Sequence, residues 1–216
     1  MIVLALDGAL AAFSTAVASG GQIVASRSES GNVALERGLA MVSGVLAQAR
    51  VAPQQIGRLA VGIGPGGFTG LRIAIAYAKS LATAWGRPLV PVDSFDILEF
   101  GAEFERVLAV VVGRPGVISA RYRDGTQMRR ASGRIADVLC EVLPAAGPRA
   151  LEVVGAPKDV LHALAERGMV VRSVDPLVTP AAAAAALAAA TRTPPETPHA
   201  VRADYGELPA AKPPRL

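Results

Sequence analysis

The sequence predicts an α/β protein built from two tandem halves, each a mixed sheet flanked by helices. Three observations carry this. Each half opens on a short, wholly apolar run, Ile2 to Leu6 in the first and Val107 to Val112 in the second. Each then enters a hairpin with a turn-forming pair at its bend, Gly20-Gly21 and Asp124-Gly125. Each finally alternates helix-spaced segments with further apolar runs, the pattern of sheets covered by helices. The 216 residues suit one domain or two small ones. The expected division is 1–94, 95–192 and a Pro-rich surface tail, 193–216.

Taken in order, Ile2 to Leu6 reads as a strand buried on both faces, broken by Asp7-Gly8. Phe13 to Ala18 and Gln22 to Ser26 are hairpin arms. Val33 to Arg50 spaces Val33, Leu39, Val42, Val45 and Leu46 at helical intervals, with Pro53 beyond its end. Leu59 to Ile63 is a buried strand, and a glycine-rich loop, Gly64 to Gly70, leads into a helix over 71–85 that Gly86 and Pro88 close. Leu89 to Val92 is a strand, and Ser94 is expected to cap a helix running to about Glu105. In the second half, Val107 to Val112 and Val117 to Arg123 are strands joined by Gly113-Arg114-Pro115-Gly116, and a further arm follows Asp124-Gly125. Helices are expected at 135–143 and 158–167, strands at 151–154 and 169–174. Thr179-Pro180 supplies a cap and a first-turn proline for a helix of alanines.

Composition narrows the function. With 51% hydrophobic and 19% charged residues, the chain buries enough apolar surface to offset its backbone entropy, which excludes disorder. A single cysteine, Cys140, excludes a disulfide scaffold and agrees with a reducing cytoplasm. No apolar run reaches the roughly 18–20 residues of a membrane span. The N-terminus meets Asp7 without a basic region, unlike a signal peptide. The basic side chains are 19 Arg and 3 Lys, for a net charge of only +4. Arg121, Arg123, Arg129 and Arg130 form the densest run, either a solvated hairpin face or a weak RNA contact.

The loop Gly64-Pro65-Gly66-Gly67-Phe68-Thr69-Gly70 lies between a strand and a helix, where backbone N–H groups can face an anion. It matches G-x-G-x-x-G formally through Gly62, Gly64 and Gly67. Pro65 removes a donor, and no acid follows at ribose distance. A phosphate site using Asp7, Gly64, Gly66, Gly67 and Thr69 therefore stands beside a tight structural turn as its alternative. Asp7 itself is either at a phosphate edge or a cap of the first turn. His162 and His199 have no partner at ligand spacing, so no metal site is expected. Cys140, between Leu139 and Val142, reads as a buried thiol, and Ser14 and Ser94 lack a base. Helix 71–85 is small and apolar on most sides, the pattern of a helix covered on more than one face. That makes Leu71, Ile75 and Ala78, with Met41, Val42 and Val45 of the preceding helix, candidates for a partner surface; the alternative is burial within the chain.

The duplicated element order resembles the sheet domains of the actin and sugar-kinase (ASKHA) superfamily, in which an Asp-Gly turn sits beside nucleotide phosphates. More specifically, Gly64-Pro65-Gly66-Gly67-Phe68-Thr69-Gly70-Leu71-Arg72 resembles the G-P-G-S-F-T-G-x-R stretch of the bacterial TsaB (YeaZ) family. Ile2 to Asp7 with Phe13 to Val17 resembles that family's start. Arg114 and Gly116 resemble its D-A-R-x-G-E-V-Y segment, and Val201-Arg202 its closing Tyr-Leu-Arg. The likeness spans roughly residues 1–125.

The resemblance implies a non-catalytic subunit for making threonylcarbamoyladenosine on tRNA. It would pair with a TsaD-type transferase through helices of the first half, be joined by a TsaE-type ATPase, and form a homodimer when alone. It would carry no cofactor itself, ATP and a metal ion belonging to the partner subunits. The alternative is an ATP-dependent kinase or hydrolase using Asp7 and the Gly64 to Gly70 loop. Two positions depart from the family pattern: Ala34 stands where a histidine is usual, and Val112 where the Asp of D-A-R would be.

Overall fold

The computed structural model describes residues 1–10, 12–31, 36–103, 105–144, 150–191 and 197–206. In chain order the elements are β1 (Ile2–Asp7), β2 (Phe13–Ser19), β3 (Gln22–Glu29), α1 (Gly38–Ala49), β4 (Ile56–Gly62), α2 (Phe68–Trp85), β5 (Leu89–Val92), α3 (Ser94–Leu98), β6 (Arg106–Arg114), β7 (Val117–Asp124), β8 (Gln127–Arg134), α4 (Ile135–Val142), β9 (Leu151–Val154), α5 (Lys158–Glu166), β10 (Val171–Val174) and α6 (Pro180–Ala190).

Two five-stranded mixed sheets result, ordered β3-β2-β1-β4-β5 and β8-β7-β6-β9-β10. Both follow one plan. The first strand pairs antiparallel with the next and parallel with the strand that returns after a helix. Side chains alternate across a strand, so β1 sends Leu4 and Leu6 into one core and Val3 and Ala5 into another. The first core lies under α1 and α2, the second under α6. Sheet two packs α4 and α5 on its outer face and carries Phe95 of α3 on its inner face. Thus α3 and α6 form the layer between the sheets.

The elements agree with the sequence expectation except where tertiary contacts decide. β4 begins at Ile56, because Ile56 and Arg58 pair with Ile2 and Val3 of β1, the register shifting at Gly57 between them. α2 begins at Phe68, with Gly67 as its cap residue, so its first turn lies inside the glycine loop. The helix expected over 94–105 ends at Leu98. Its cap is Asp93, whose side chain accepts the Phe95 N–H at 2.7 Å, and Gly101 with φ +84° turns the chain away. Helix 33–50 is seen as 38–49; positions 33–35, Ala34 among them, lie outside the described residues.

The alanine helix α6 does not stay with the second half. It packs against β1, β2 and β4 of sheet one. Small side chains let it lie close to the sheet, with Ala181 to Ala185 and Ala188 buried. Its start is capped as the sequence predicts, Thr179 accepting the Ala182 N–H. Ser14 Oγ accepts the Ala181 N–H at 3.1 Å, and Arg58 donates to the carbonyls of Ala188 and Thr191 at its end. The Pro-rich segment is not simply a surface tail either: Val201 is 0% exposed within the first core.

Among the described residues, no helix is long and apolar enough to cross a membrane.

Candidate functional site

Asp7 ends β1, and the turn that follows folds back on it. Its Oδ1 accepts the N–H of Leu10 at 3.1 Å, and the Ala9 N–H also bonds the carboxylate. Its Oδ2 has no hydrogen-bond partner among the described residues and presses on Gly62 of β4, where any Cβ would collide with it. The residue is 0% exposed. Burial pushes its pKa up to about 6, against the smaller opposing pull of the two backbone donors. Of its two expected roles, the structure displays the turn cap.

The glycine loop closes on that turn. Gly67 N–H donates to the Ala9 carbonyl at 2.8 Å, and Ser94 N–H donates to the Gly64 carbonyl at 2.8 Å. A Cβ at Gly66 would strike the Ala9 carbonyl, and one at Gly70 the Gly8 carbonyl. Gly64 has φ +100°, and a Cβ there would strike the carbonyl of Asp204. The Gly64-Pro65 peptide is cis. These glycines therefore serve close backbone approach, and the groups approaching them are the negative ends of carbonyl dipoles. Asp7 and Gly64 are buried, and a side chain at Gly66 or Gly70 would meet carbonyl oxygens of the chain. Of the five candidate phosphate residues, Gly67 and Thr69 at the start of α2 are exposed.

Among the described residues, no group of three or more His, Cys, Asp or Glu is placed to hold a metal ion. His162 is exposed and lies 3.2 Å from Glu166. Cys140, expected to be buried, is exposed on α4, where the Arg167 guanidinium donates to its Sγ at 3.3 Å. Val112 is 46% exposed at the end of β6.

The six apolar residues expected at a partner surface all point inward. Met41, Val42, Val45, Leu71, Ile75 and Ala78 belong to the core between the two helices and sheet one, none more than 7% exposed. The physical reason is that a helix apolar on most sides gives no sequence signal for which side meets the sheet. The faces open to a partner are the opposite ones: Ala40, Ser43 and Ala47 on α1, and Ala76, Ser80 and Thr83 on α2. Leu39 (48% exposed) and Phe68 (57%) flank them. Phe68 packs on Tyr205 with centroids 5.3 Å apart, and the Arg72 guanidinium lies 5.1 Å over the Phe68 ring.

The arginine run is largely tied up inside the molecule. Arg121 pairs with Glu99 at 2.9 Å and Asp96 at 2.7 Å; Arg123 takes the other Glu99 oxygen at 2.9 Å. Arg130 donates to Asp93 at 3.1 Å and to Asp204. Arg121 and Arg130 both lie over the Phe95 ring, at 5.3 and 4.8 Å. Sequence reasoning missed this network. Its one available signal was the cluster of acids at 93–105, facing a basic hairpin of similar length.

A family profile described as TsaD, tRNA N6-adenosine threonylcarbamoyltransferase, matches residues 34–191. The chain is 34% identical over 122 residues to the Escherichia coli tRNA threonylcarbamoyladenosine biosynthesis protein TsaB, covering 55% of this chain and 53% of that one. It thus spans about half the length of this curated relative, and 23% of an uncharacterized Mycobacterium leprae protein that it also matches. Two solved structures are each 28% identical. YeaZ from Pseudomonas aeruginosa has a TM-score of 0.65 and covers 87% of this chain and 90% of that one. A Pseudomonas aeruginosa protein described as similar to peptidase YeaZ has a TM-score of 0.71 and covers 95% and 99%. Component A of the Acidaminococcus fermentans (R)-2-hydroxyglutaryl-CoA dehydratase, 14% identical with a TM-score of 0.52 over 88% of this chain and 100% of that one, shares the fold alone. The architecture is the actin and sugar-kinase type that the duplicated element order predicts.

Proposed function

The chain belongs to the TsaB (YeaZ) family, and from that premise we propose that it is a non-catalytic subunit in forming threonylcarbamoyladenosine on tRNA. In this reading it docks on a TsaD-type transferase through the outer faces of α1 and α2 and stabilises the transferase's competent conformation. A TsaE-type ATPase joins the pair, and ATP and a metal ion are held by those partners. Alone, the chain forms a homodimer through the same faces.

The observation that carries the reading is the ridge of small exposed residues, Ala40, Ser43 and Ala47 beside Ala76, Ser80 and Thr83. Small side chains let helices of a second subunit approach closely, and two adjacent helices can offer a patch on the order of 800 Å² per partner. The competing reading, an ATP-dependent kinase or hydrolase, has no comparable support, since Asp7 is sealed and carbonyl groups face the glycine loop.

Co-elution tests the proposal. The purified chain mixed with the cognate TsaD-type transferase is expected to run as a complex on size exclusion. Ala76→Arg, a bulky charge on the open face of α2, is expected to abolish that complex. A chain that never associates, or an Ala76→Arg variant that associates normally, overturns the docking face.

A further inference from the structure

Residues 201–206 join parts of the molecule that are far apart in sequence. At one end Val201 is fully buried in the first core, with Ala203 packed beside it. In the middle the Asp204 N–H donates to the Ile63 carbonyl at 2.7 Å, just past the end of β4. At the far end the segment meets sheet two. Asp204 accepts from Arg130 of β8, and Gly206 packs between Pro65 and the hydroxyls of Ser119 and Ser132. The Gly206 N–H donates to the other Asp204 carboxylate oxygen at 2.8 Å, holding the bend.

We propose that residues 201–206 form a strap that fixes the two sheet halves in one closed arrangement, with the Arg130–Asp204 pair as its latch. The inference does not rest on the partner reading. It follows from three features. The strap is anchored in the core of one half and bonded to the sheet of the other. Its latch arginine also holds Asp93, the residue linking β5 to α3, so three segments meet on one guanidinium. The guanidinium is further confined by the buried Phe95 ring beneath it. The strap's own backbone also lies against the glycine loop, the Asp204 carbonyl facing Gly64.

The test uses spin labels on the two halves, with cysteines replacing the exposed Val24 of β3 and His162 of α5 in a Cys140→Ser background, the labelled chain being diluted in excess unlabelled chain so that only distances within one molecule are read. The intact chain is expected to give one narrow inter-label distance distribution. Asp204→Ala, which cuts the latch and leaves Val201 in the core, is expected to broaden it about twofold as the halves gain freedom. Arg130→Gln, which cuts the same latch from the other side, is expected to do the same and decides the matter should Asp204→Ala fail to fold. Distributions as narrow as the parent's in a folded latch variant overturn the proposal.

Discussion

The carbonyl of Asp204 lies where the Cβ of any residue other than glycine at position 64 would have to stand. One contact between the end of the described chain and the loop after β4 thus explains a glycine that, in sequence, looks made for phosphate. The backbone there also has φ +100°, so a side chain is opposed twice, by the collision and by the dihedral.

Gly64→Ala is therefore expected to destabilise the chain by about 2–4 kcal/mol, combining dihedral strain with displacement of a backbone segment. Urea unfolding checks this. A midpoint equal to the parent's contradicts the close approach.

Asp7 gives a pH dependence with a definite sign. Its pKa is raised from 3.8 to about 6 in the folded chain. The folded state thus holds its proton more tightly than the unfolded one. Its stabilising contribution is complete below about pH 4 and is lost as pH rises through 6. Between pH 5 and 7.5 the parent is expected to lose about 1 kcal/mol more than Asp7→Asn, which does not titrate. Denaturant unfolding of both proteins at the two pH values measures it, and parallel losses contradict the burial of a titrating carboxyl.

Neighbouring positions on α2 are expected to separate folding from docking. Ile75 is 7% exposed and packs in the first core. Ile75→Asp buries a carboxylate without a partner and costs several kcal/mol of stability. Ala76 is on the open face, and Ala76→Arg is expected to shift stability by no more than about 0.5 kcal/mol. Thermal unfolding of the two variants decides which side of the helix meets the sheet.

Glu99 receives both Arg121 and Arg123, and its side chain is only 9% exposed. Glu99→Ala leaves the 10%-exposed Arg121 side chain with Asp96 alone. A loss of about 2–4 kcal/mol is expected, as for breaking a largely buried ion pair. A loss below about 0.5 kcal/mol in urea unfolding contradicts a structural role for this network.

The parts that were legible in sequence are the locally determined ones. Ile2 to Leu6 reads as a doubly buried strand because every residue is apolar, and Ser19-Gly20-Gly21 fixes the hairpin by turn chemistry. The order of these elements suffices for the fold. Three features were not legible. Nothing separates Ile75 from Ala76 in a helix apolar on most sides; the sheet chooses. The partners of Arg121, Arg123 and Arg130 lie 18 or more residues away, so a run of arginines looks like an open basic face. The segment Val201 to Gly206 has no period and sits in Pro-rich chain, and only tertiary contact reveals that Val201 is core. At Asp7 and the glycine loop the motif was visible, but what fills the space around it was not.

Reconstitution of tRNA threonylcarbamoylation tests the account most directly. The cognate TsaD-type transferase, its ATPase partner and substrate tRNA would be assayed with and without this chain. The account predicts modification that depends on adding the chain, and that Asp7→Asn supports as well as the parent does. Equal modification in its absence would contradict it, as would loss of activity in a folded Asp7→Asn chain.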